Sequence, residues 1–121
     1  MAVTKVLIVD DSRTETMYLT EILQQAGYSV SSAEGAEQAM HLMAKERPEL
    51  ILIDVVMPGK NGYQFTRDIT RSLEYGDIPI IICTSKRLET DRVWGLRQGA
   101  RDYITKPVNS AELFSKIRAI G

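Results

Sequence analysis

The sequence predicts an α/β fold: an open, doubly wound, five-stranded parallel sheet in the order 2-1-3-4-5, with helices on both faces. Short apolar runs rich in β-branched residues alternate with amphipathic stretches along the 121 residues. Three of these runs contain almost only Val, Ile and Leu, as expected for strands that are buried on both faces. Five βα units are too few to close an eight-stranded barrel, so the open sheet is favoured.

The predicted strands correspond to the five apolar runs. They are Lys5–Val9, Ser29–Ala33, Leu50–Ile53, Ile80–Cys83 and Asp102–Ile104. Right-handed crossovers through helices join such parallel strands. The carboxyl ends of strands 1 and 3 therefore flank the switch point where open α/β sheets bind their ligands.

Five helices are predicted between and after these strands. Capping boxes mark the start of the first (Ser12 to Glu15) and the last (Asn109 to Glu112), and Gly27 ends the first. Apolar side chains at helical spacing are expected to face the core. These are Leu19, Ile22, Leu23 and Ala26, then Ala36, Ala39, Met40 and Met43, then Phe65, Ile69 and Leu73, then Val93, Leu96 and Ala100, and finally Leu113, Ile117 and Ile120.

Length and composition indicate one globular domain spanning residues 1–121, without an output domain. A net charge of −1 argues against a general nucleic-acid-binding protein, which needs a basic surface. The single cysteine, Cys83, excludes an internal disulfide and fits a reducing compartment. No signal peptide or long apolar segment is visible, so we expect a cytoplasmic monomer or weak dimer that does not insert into membranes.

Acidic, hydroxyl and ammonium side chains follow four of the predicted strands. Asp10 and Asp11 follow the first strand, Asp54 the third, Thr84 the fourth, and Lys106 comes soon after the fifth. Carboxylates gathered at one sheet edge raise one another's pKa unless a cation compensates. Mg²⁺ suits a site that offers a few carboxylate ligands and leaves room for water. The pattern therefore predicts a magnesium site.

The same residues suggest phosphoryl-transfer chemistry. A carboxylate such as Asp54 is a competent nucleophile and forms an acyl phosphate. Thr84 and Lys106 would contact the phosphoryl oxygens through a hydroxyl and an ammonium group. Taken singly, each residue has a structural interpretation, since an Asp after a strand is usually a turn or N-cap residue. Their joint position at strand ends favours a functional site.

Over its whole length the chain resembles the receiver domains of response regulators, the CheY-like proteins of two-component signalling. The resemblance rests on VLIVDDS, LILIDVVMPGKNG, the strand end at Thr84, and DYITKP, in this order and spacing. It implies a switch that accepts a phosphoryl group from a histidine kinase, rather than an enzyme. Asp54 corresponds to the phosphoacceptor, and Thr84 and Lys106 correspond to the pair that holds the phosphoryl group.

Further roles follow only from this resemblance. It implies Mg²⁺ bound directly by Asp11, Asp54 and the backbone carbonyl of Val56, with Asp10 acting mainly through a metal-bound water. Tyr103 corresponds to an aromatic switch residue that responds to Thr84. Many relatives have a polar side chain at position 56, and an apolar valine cannot orient water there. We therefore expect slow loss of the phosphoryl group.

A narrower resemblance is to single-domain regulators of the PilH type, which act in type IV pilus and twitching motility. It rests on IDVVMPGKNGYQ and ETDRVWGLRQGARDYITKPV. The downstream partner is unknown. Arg92, Trp94 and Arg97 on the fourth helix are candidates for a partner surface, because an exposed Trp between Arg residues is typical of interface hot spots. The alternative is that Trp94 packs on a neighbour and the adjacent Gly95 permits close approach.

Two other classes of protein share parts of this pattern. Haloacid dehalogenase-like phosphohydrolases also use an aspartate nucleophile, but in a D-x-D pattern after the first strand and usually with a cap domain. Flavodoxin-like electron carriers have a similar sheet, but the acidic segment DDSRTET would repel the FMN phosphate. Turnover of a phosphate ester would favour the first class, and a yellow protein the second.

Overall fold

The computed structural model describes residues 3–120 and confirms the predicted fold class. Its parallel sheet has the strand order β2-β1-β3-β4-β5. The strands are β1 (Lys5–Val9), β2 (Ser29–Ala33), β3 (Leu50–Ile53), β4 (Ile80–Thr84) and β5 (Asp102–Thr105). The helices are α1 (Arg13–Gln25), α2 (Ala36–Lys45), α3 (Gly62–Thr70), α4 (Glu89–Arg97) and α5 (Ser110–Ile120).

Two of the strands extend one residue beyond the predicted ends. β4 continues to Thr84 and β5 to Thr105, and these two residues are partners in the β4–β5 register. The N–H of Lys106 donates to the carbonyl of Thr84 at 2.8 Å. Parallel pairing therefore continues to the edge of the sheet and brings Lys106 beside the end of β4.

Alternate side chains of each buried strand enter two separate cores, one on each face of the sheet. On one face, Ile51 and Ile53 pack with Phe65 and Ile69 of α3. On the other face, Leu50 and Leu52 pack with residues of α1 and α5. This two-sided burial explains why β1, β3 and β4 contain almost no polar residues.

Helix caps place the loops at the carboxyl edge of the sheet. Ser12 accepts a hydrogen bond from the Glu15 N–H, and Asn109 accepts one from the Glu112 N–H at 2.9 Å. Each is the forward half of a predicted capping box. At α3 the two halves of a capping box are both present, between Asn61 and Gln64. That box was not predicted, although the N-x-x-Q spacing of Asn61 and Gln64 is a signal for it.

Four residues predicted to face the core lie at the surface instead. Leu73 is wholly exposed because α3 ends at Thr70 and Leu73 lies in the turn that follows. Met40 is 41% exposed because its neighbours on α2 occupy the positions that face the sheet. Val93 and Ala26 are also exposed. Val93 faces outward because α4 packs on the sheet through Gly95, about 200° further around the helix.

Within residues 3–120, none of the helices combines the length and the apolar character that a membrane span needs.

Candidate functional site

Three carboxylates meet at the carboxyl edge of the sheet, as predicted. Asp10, Asp11 and Asp54 each place one oxygen within 4.8 Å of the other two, and we call them the acidic cluster. The strand register brings them together, because Val9 and Ile53 are paired and an aspartate follows each of them. Asp10 and Asp54 are buried, whereas Asp11 is exposed. The cluster is therefore open to solvent on one side.

Lys106 supplies a positive charge inside this site. Its ammonium nitrogen lies 2.7 Å from Oδ2 of Asp10 and 3.3 Å from Oδ2 of Asp54. Burial alone would lower the pKa of Lys106, but the hydrogen bond to Asp10 and the charges of both carboxylates outweigh burial and raise it above its ordinary value. Lys106 therefore stays protonated and holds two buried carboxylates close together.

Backbone N–H groups orient the two buried carboxylates. The Ser12 N–H donates to Oδ1 of Asp10 at 2.8 Å, and the Val56 N–H donates to Oδ1 of Asp54 at 3.4 Å. Each of these bonds spans two residues, so each aspartate shapes the loop that follows its own strand. In both residues the other carboxylate oxygen, Oδ2, accepts a hydrogen bond from the ammonium group of Lys106.

Gly62, at the start of α3, is a further residue of the site. Its N–H donates to the Val55 carbonyl at 2.9 Å, which draws the start of α3 against the loop after β3. A Cβ at position 62 would lie 2.2 Å from the backbone oxygen of Asp54 and 2.8 Å from the Cα of Val55. Any larger residue would push the loop or Asp54 out of place. Gly62 is the last residue of the MPGKNG segment, which is part of the family resemblance.

Thr84 and Tyr103 are connected through the backbone of one residue, Lys86. Thr84 is fully buried, and its Oγ1 accepts a hydrogen bond from the Lys86 N–H at 3.4 Å. The hydroxyl of Tyr103, whose ring is buried, donates to the Lys86 carbonyl at 2.8 Å. A movement of the Thr84 side chain would thus disturb the same peptide segment that Tyr103 holds.

Tyr63 is a second tyrosine near this segment, and no role was predicted for it from the sequence. Its hydroxyl donates to the Asp91 carbonyl at 3.1 Å and so ties the start of α3 to α4. Burial and the neighbouring Tyr63 phenol raise the pKa of Tyr103 well above its ordinary value. Both rings therefore remain neutral hydrogen-bond donors at physiological pH.

The composition of the acidic cluster fits a hard divalent cation. All its donor atoms are carboxylate oxygens, the ligand type that Mg²⁺ prefers. Lys106 contacts Asp10 and Asp54, whereas Asp11 has no salt bridge among the residues that the structure describes. One exposed carboxylate thus remains free to bind a cation from the solvent side.

The comparison with protein families decides the class of this protein. Residues 6–118 match the family of the response regulator receiver domain. The chain belongs to this family. It is therefore a receiver domain of two-component signalling, and neither of the two alternatives, the phosphohydrolase and the electron carrier, is supported.

Similar proteins agree with this assignment. The receiver domain is 49% identical to the protein PilH of Pseudomonas aeruginosa over 96% of both chains. It is 41% identical to the transcriptional regulatory protein CpxR of Klebsiella pneumoniae, of which it spans 48%. Among solved structures, the Vibrio cholerae chemotaxis protein CheY4 superposes with a TM-score of 0.90 at 30% identity, covering 99% of this chain and all of that one.

The predicted partner residues of the receiver domain do not form one patch. Trp94 is 49% exposed and shares a helix face with Arg97, three residues further along α4. Arg92 lies on a different side of α4, with its guanidinium 3.9 Å from the Glu89 carboxylate. The residue of α4 that packs against the sheet is Gly95 rather than Trp94, since a Cβ at position 95 would lie 2.8 Å from Cδ1 of Ile82.

Proposed function

We propose that Asp54 accepts a phosphoryl group from a histidine kinase and that the resulting acyl phosphate switches a partner-binding surface. The observation that carries this proposal is the contact of Lys106 with both Asp54 and Asp10 in a site that also holds a third carboxylate. A buried ion pair alone would need only one carboxylate. The surplus negative charge supports a site that binds a cation and a phosphoryl group.

In the transfer step, an Oδ atom of Asp54 attacks the phosphorus of a phosphohistidine. A new P–O bond to the carboxylate forms while the P–N bond breaks, and the histidine leaves as imidazole after taking up a proton. Lys106 would bind a phosphoryl oxygen on Asp54, since its ammonium group already lies 3.3 Å from the Asp54 carboxylate. Thr84, at the end of the neighbouring strand, would donate its hydroxyl to another phosphoryl oxygen. The chain is thus a phosphoacceptor rather than an enzyme with a separate substrate.

Mg²⁺ is the proposed cofactor, because the acidic cluster fits its ligand preference. Asp11, Asp54 and the backbone carbonyl of Val56 would bind it directly, and Asp10 would act through a coordinated water. When bound, the ion supplies positive charge to the oxygens of the transferred phosphoryl group. Asp10 also keeps Lys106 in place, through the 2.7 Å contact between the two side chains.

The proposed switch runs from Thr84 to Tyr103. When the Thr84 hydroxyl turns to the phosphoryl group, its contact with the Lys86 N–H is lost, and the Lys86 carbonyl that holds Tyr103 moves with it. The ring of Tyr103 would then occupy the space that Thr84 leaves. Since Tyr103 packs against Gly95, the change would reach α4.

The partner surface is proposed on α4, where Trp94 and Arg97 share an exposed face and Arg92 lies exposed on another side of the helix. An exposed aromatic ring beside a guanidinium group is typical of binding hot spots. The similarity to PilH supports a role in type IV pilus or twitching motility, or in related chemotaxis-like signalling. We propose a cytoplasmic monomer or weak dimer that acts on a protein rather than on nucleic acid.

Incubation with acetyl phosphate and Mg²⁺, followed by intact mass measurement, tests the phosphoacceptor. We expect a gain of one phosphoryl group in the wild type and no gain in Asp54→Ala. Asp68→Ala is the matched control, because Asp68 is an exposed aspartate outside the acidic cluster and should leave the gain intact. A phosphorylated Asp54→Ala variant, or a wild type that accepts nothing from acetyl phosphate or a phosphorylated histidine kinase, would overturn the proposal.

A further inference from the structure

A groove of about 730 Å³ lies between α2 and α3, and we call it the α2–α3 groove. It extends from the loop after β2, at Glu34, to the turn after α3, at Tyr75. None of the residues that line it belongs to the acidic cluster or to α4. It is therefore separate from the proposed phosphoacceptor site and from the proposed partner surface.

The floor of the groove is apolar. Phe65, Ile69 and Tyr75 line it and are themselves buried, so it reaches down to the core on this face of the sheet. Met40 lines the same groove and is 41% exposed. Its flexible thioether is well suited to an apolar contact with a bound partner. Leu73, between two lining residues in the chain, is wholly exposed. Helical periodicity predicted that both Met40 and Leu73 would be covered, and nothing within the described chain covers them.

The rim of the groove is acidic. Glu34, Glu37, Asp68 and Glu74 line it, and all four are exposed, whereas Lys60 is the only basic residue among the lining residues. The ammonium group of Lys60 forms a salt bridge with Asp68. Glu34, Glu37 and Glu74 form no salt bridge among the described residues, although the Arg47 guanidinium donates to the Glu74 carbonyl at one end of the groove. An acidic rim around an apolar floor is the complement of a segment with an apolar stripe flanked by lysine or arginine.

We propose that the α2–α3 groove binds a cationic amphipathic helix of a partner protein. A helix places apolar residues at i, i+3 or i+4 along one side, and these would contact Met40 and the floor formed by Phe65 and Tyr75. Basic residues beside that stripe would meet Glu34, Glu37 and Glu74. Charges at the rim of an interface accelerate association with partners of opposite charge and disfavour partners of like charge.

The groove also adjoins the loop that follows the phosphoacceptor strand. Pro58, Gly59 and Lys60 of that loop line its wall, and the loop is joined to α3 by the bond from the Gly62 N–H to the Val55 carbonyl. A helix in the groove would thus contact the segment that begins at Asp54. The partner proposed here binds a different face from the one proposed on α4.

The test uses a fluorescein-labelled 14-residue peptide of leucine and lysine with an amphipathic helical pattern, and the full chain labelled with ¹⁵N. We expect amide shift changes concentrated in residues 34–40 and 58–75. Met40→Ser and the double variant Glu37→Gln/Glu74→Gln should each weaken binding by about fivefold to tenfold, measured by fluorescence anisotropy. Met17→Ser and Glu112→Gln are matched controls, because Met17 and Glu112 are exposed on α1 and α5, and these variants should bind like the wild type.

Several outcomes would overturn the proposal. A peptide with the same composition but a scrambled pattern should bind at least about tenfold more weakly, and equal binding would mean that only charge is recognised. Shift changes centred on α1 or α4 would place the site elsewhere. Changes in the groove amides that depend on protein concentration without peptide would assign the groove to a second copy of the chain. Met40→Ser should still accept a phosphoryl group normally, so failure here is distinguishable from failure of the phosphoacceptor proposal.

Discussion

Lys106 joins the two buried carboxylates of the site, Asp10 and Asp54. Its own side chain is only 11% exposed. Removal of one partner from a buried ion pair leaves an uncompensated charge, which costs far more than the pair contributes in net stability. The consequence is that an ammonium group stabilises a site whose surplus carboxylates would otherwise repel one another.

Replacement of Lys106 by methionine should therefore destabilise the fold. We expect a loss of about 3 kcal/mol in the free energy of unfolding without divalent cations, measured by urea denaturation. With Mg²⁺ in excess the loss should be smaller, because a cation compensates the carboxylates. Lys116→Met is the matched control: Lys116 forms a more exposed salt bridge with Asp102, and its loss should cost at most about 1 kcal/mol. Equal losses in the two variants would contradict this account.

The pH dependence of this contribution follows from the sign of the pKa shift. The folded protein holds the pKa of Lys106 above the ordinary value of 10.5. The stabilisation should therefore be complete below pH of about 10 and decline only as the pH rises through the raised pKa. Comparison of wild type with Lys106→Met at neutral and alkaline pH measures it, and a difference that persists undiminished at the highest pH would contradict the assignment.

Val56 is exposed beside Asp54, where an apolar side chain cannot position water. We expect Val56→Asn to lose its phosphoryl group about tenfold faster than the wild type. An asparagine can orient water but cannot act as a general base, whose effect on the rate is roughly hundredfold or more. The measurement is the decay of the phosphorylated mass after removal of the donor. Val56→Ala is the matched control, since it shortens the side chain without adding a polar group. Equal decay in Val56→Asn and the wild type would refute the explanation.

At the scale of elements, α4 differs from the other helices in how it packs. It contributes one buried residue, Gly95, and the missing side chain lets the helix backbone approach Ile82 and the ring of Tyr103. α1, α2, α3 and α5 instead insert larger side chains into the two cores. A helix held by so little buried area can shift at low cost, which suits an element next to a proposed switch residue.

Gly95→Ala tests the close approach. The added methyl group would lie 2.8 Å from Cδ1 of Ile82 and 3.1 Å from Cδ2 of Tyr103. The clash should cost more than the roughly 1 kcal/mol that alanine gains over glycine in a helix. We therefore expect net destabilisation of about 1 kcal/mol in urea denaturation. A more stable variant would contradict the packing role of Gly95.

A double variant isolates the cause. Ile82→Val removes Cδ1, the atom closest to the added methyl group, and alone should cost about 1 kcal/mol. If the clash is real, Gly95→Ala/Ile82→Val should be less destabilised than the two single changes added together. Strict additivity would show that the cost of Gly95→Ala arises elsewhere.

At the scale of the whole molecule, the two proposed binding faces differ in their balance of charge. On α4 the two arginines, Arg92 and Arg97, are balanced by Glu89 and Asp91. In the α2–α3 groove, carboxylates outnumber Lys60, the one basic residue among those that line it. We therefore expect charge to select the partner more strongly at the groove than at α4.

Trp94→Ala tests whether the α4 face serves binding rather than stability. Because Trp94 is half exposed, we expect the free energy of unfolding to fall by at most about 1 kcal/mol in urea denaturation. Binding to a kinase or a downstream protein should weaken by at least about tenfold if Trp94 is a hot spot. Met17→Ala, an apolar change at a residue of α1 that is 66% exposed, should affect neither quantity. A Trp94→Ala variant that unfolds would indicate a packing role instead.

The whole switch also has an energetic requirement. To move a two-state equilibrium from about 1% to about 99%, phosphorylation must favour one state by about 5.5 kcal/mol. In the proposed mechanism, charge-assisted contacts of the phosphoryl group with Lys106, Thr84 and Mg²⁺ would have to supply this difference.

The alternation of apolar runs and helical stretches was enough to predict the fold, because strands buried on both faces must be apolar throughout. The strand ends likewise predicted the acidic cluster, since parallel strands bring their carboxyl ends to one edge. The exposure of Met40 and Leu73 was predicted wrongly. Helical spacing shows which residues share a face, but not where a helix ends or which face meets the sheet.

The sequence by itself therefore determined the order of the sheet and the residues gathered at its edge. Only the tertiary structure decided that Lys106 contacts Asp10, which is 96 residues away, and that Gly95 lies against Tyr103. It alone also revealed the α2–α3 groove. The physical reason is that repeat patterns specify elements and their burial, whereas contacts between side chains depend on how helices and loops pack after the elements have formed.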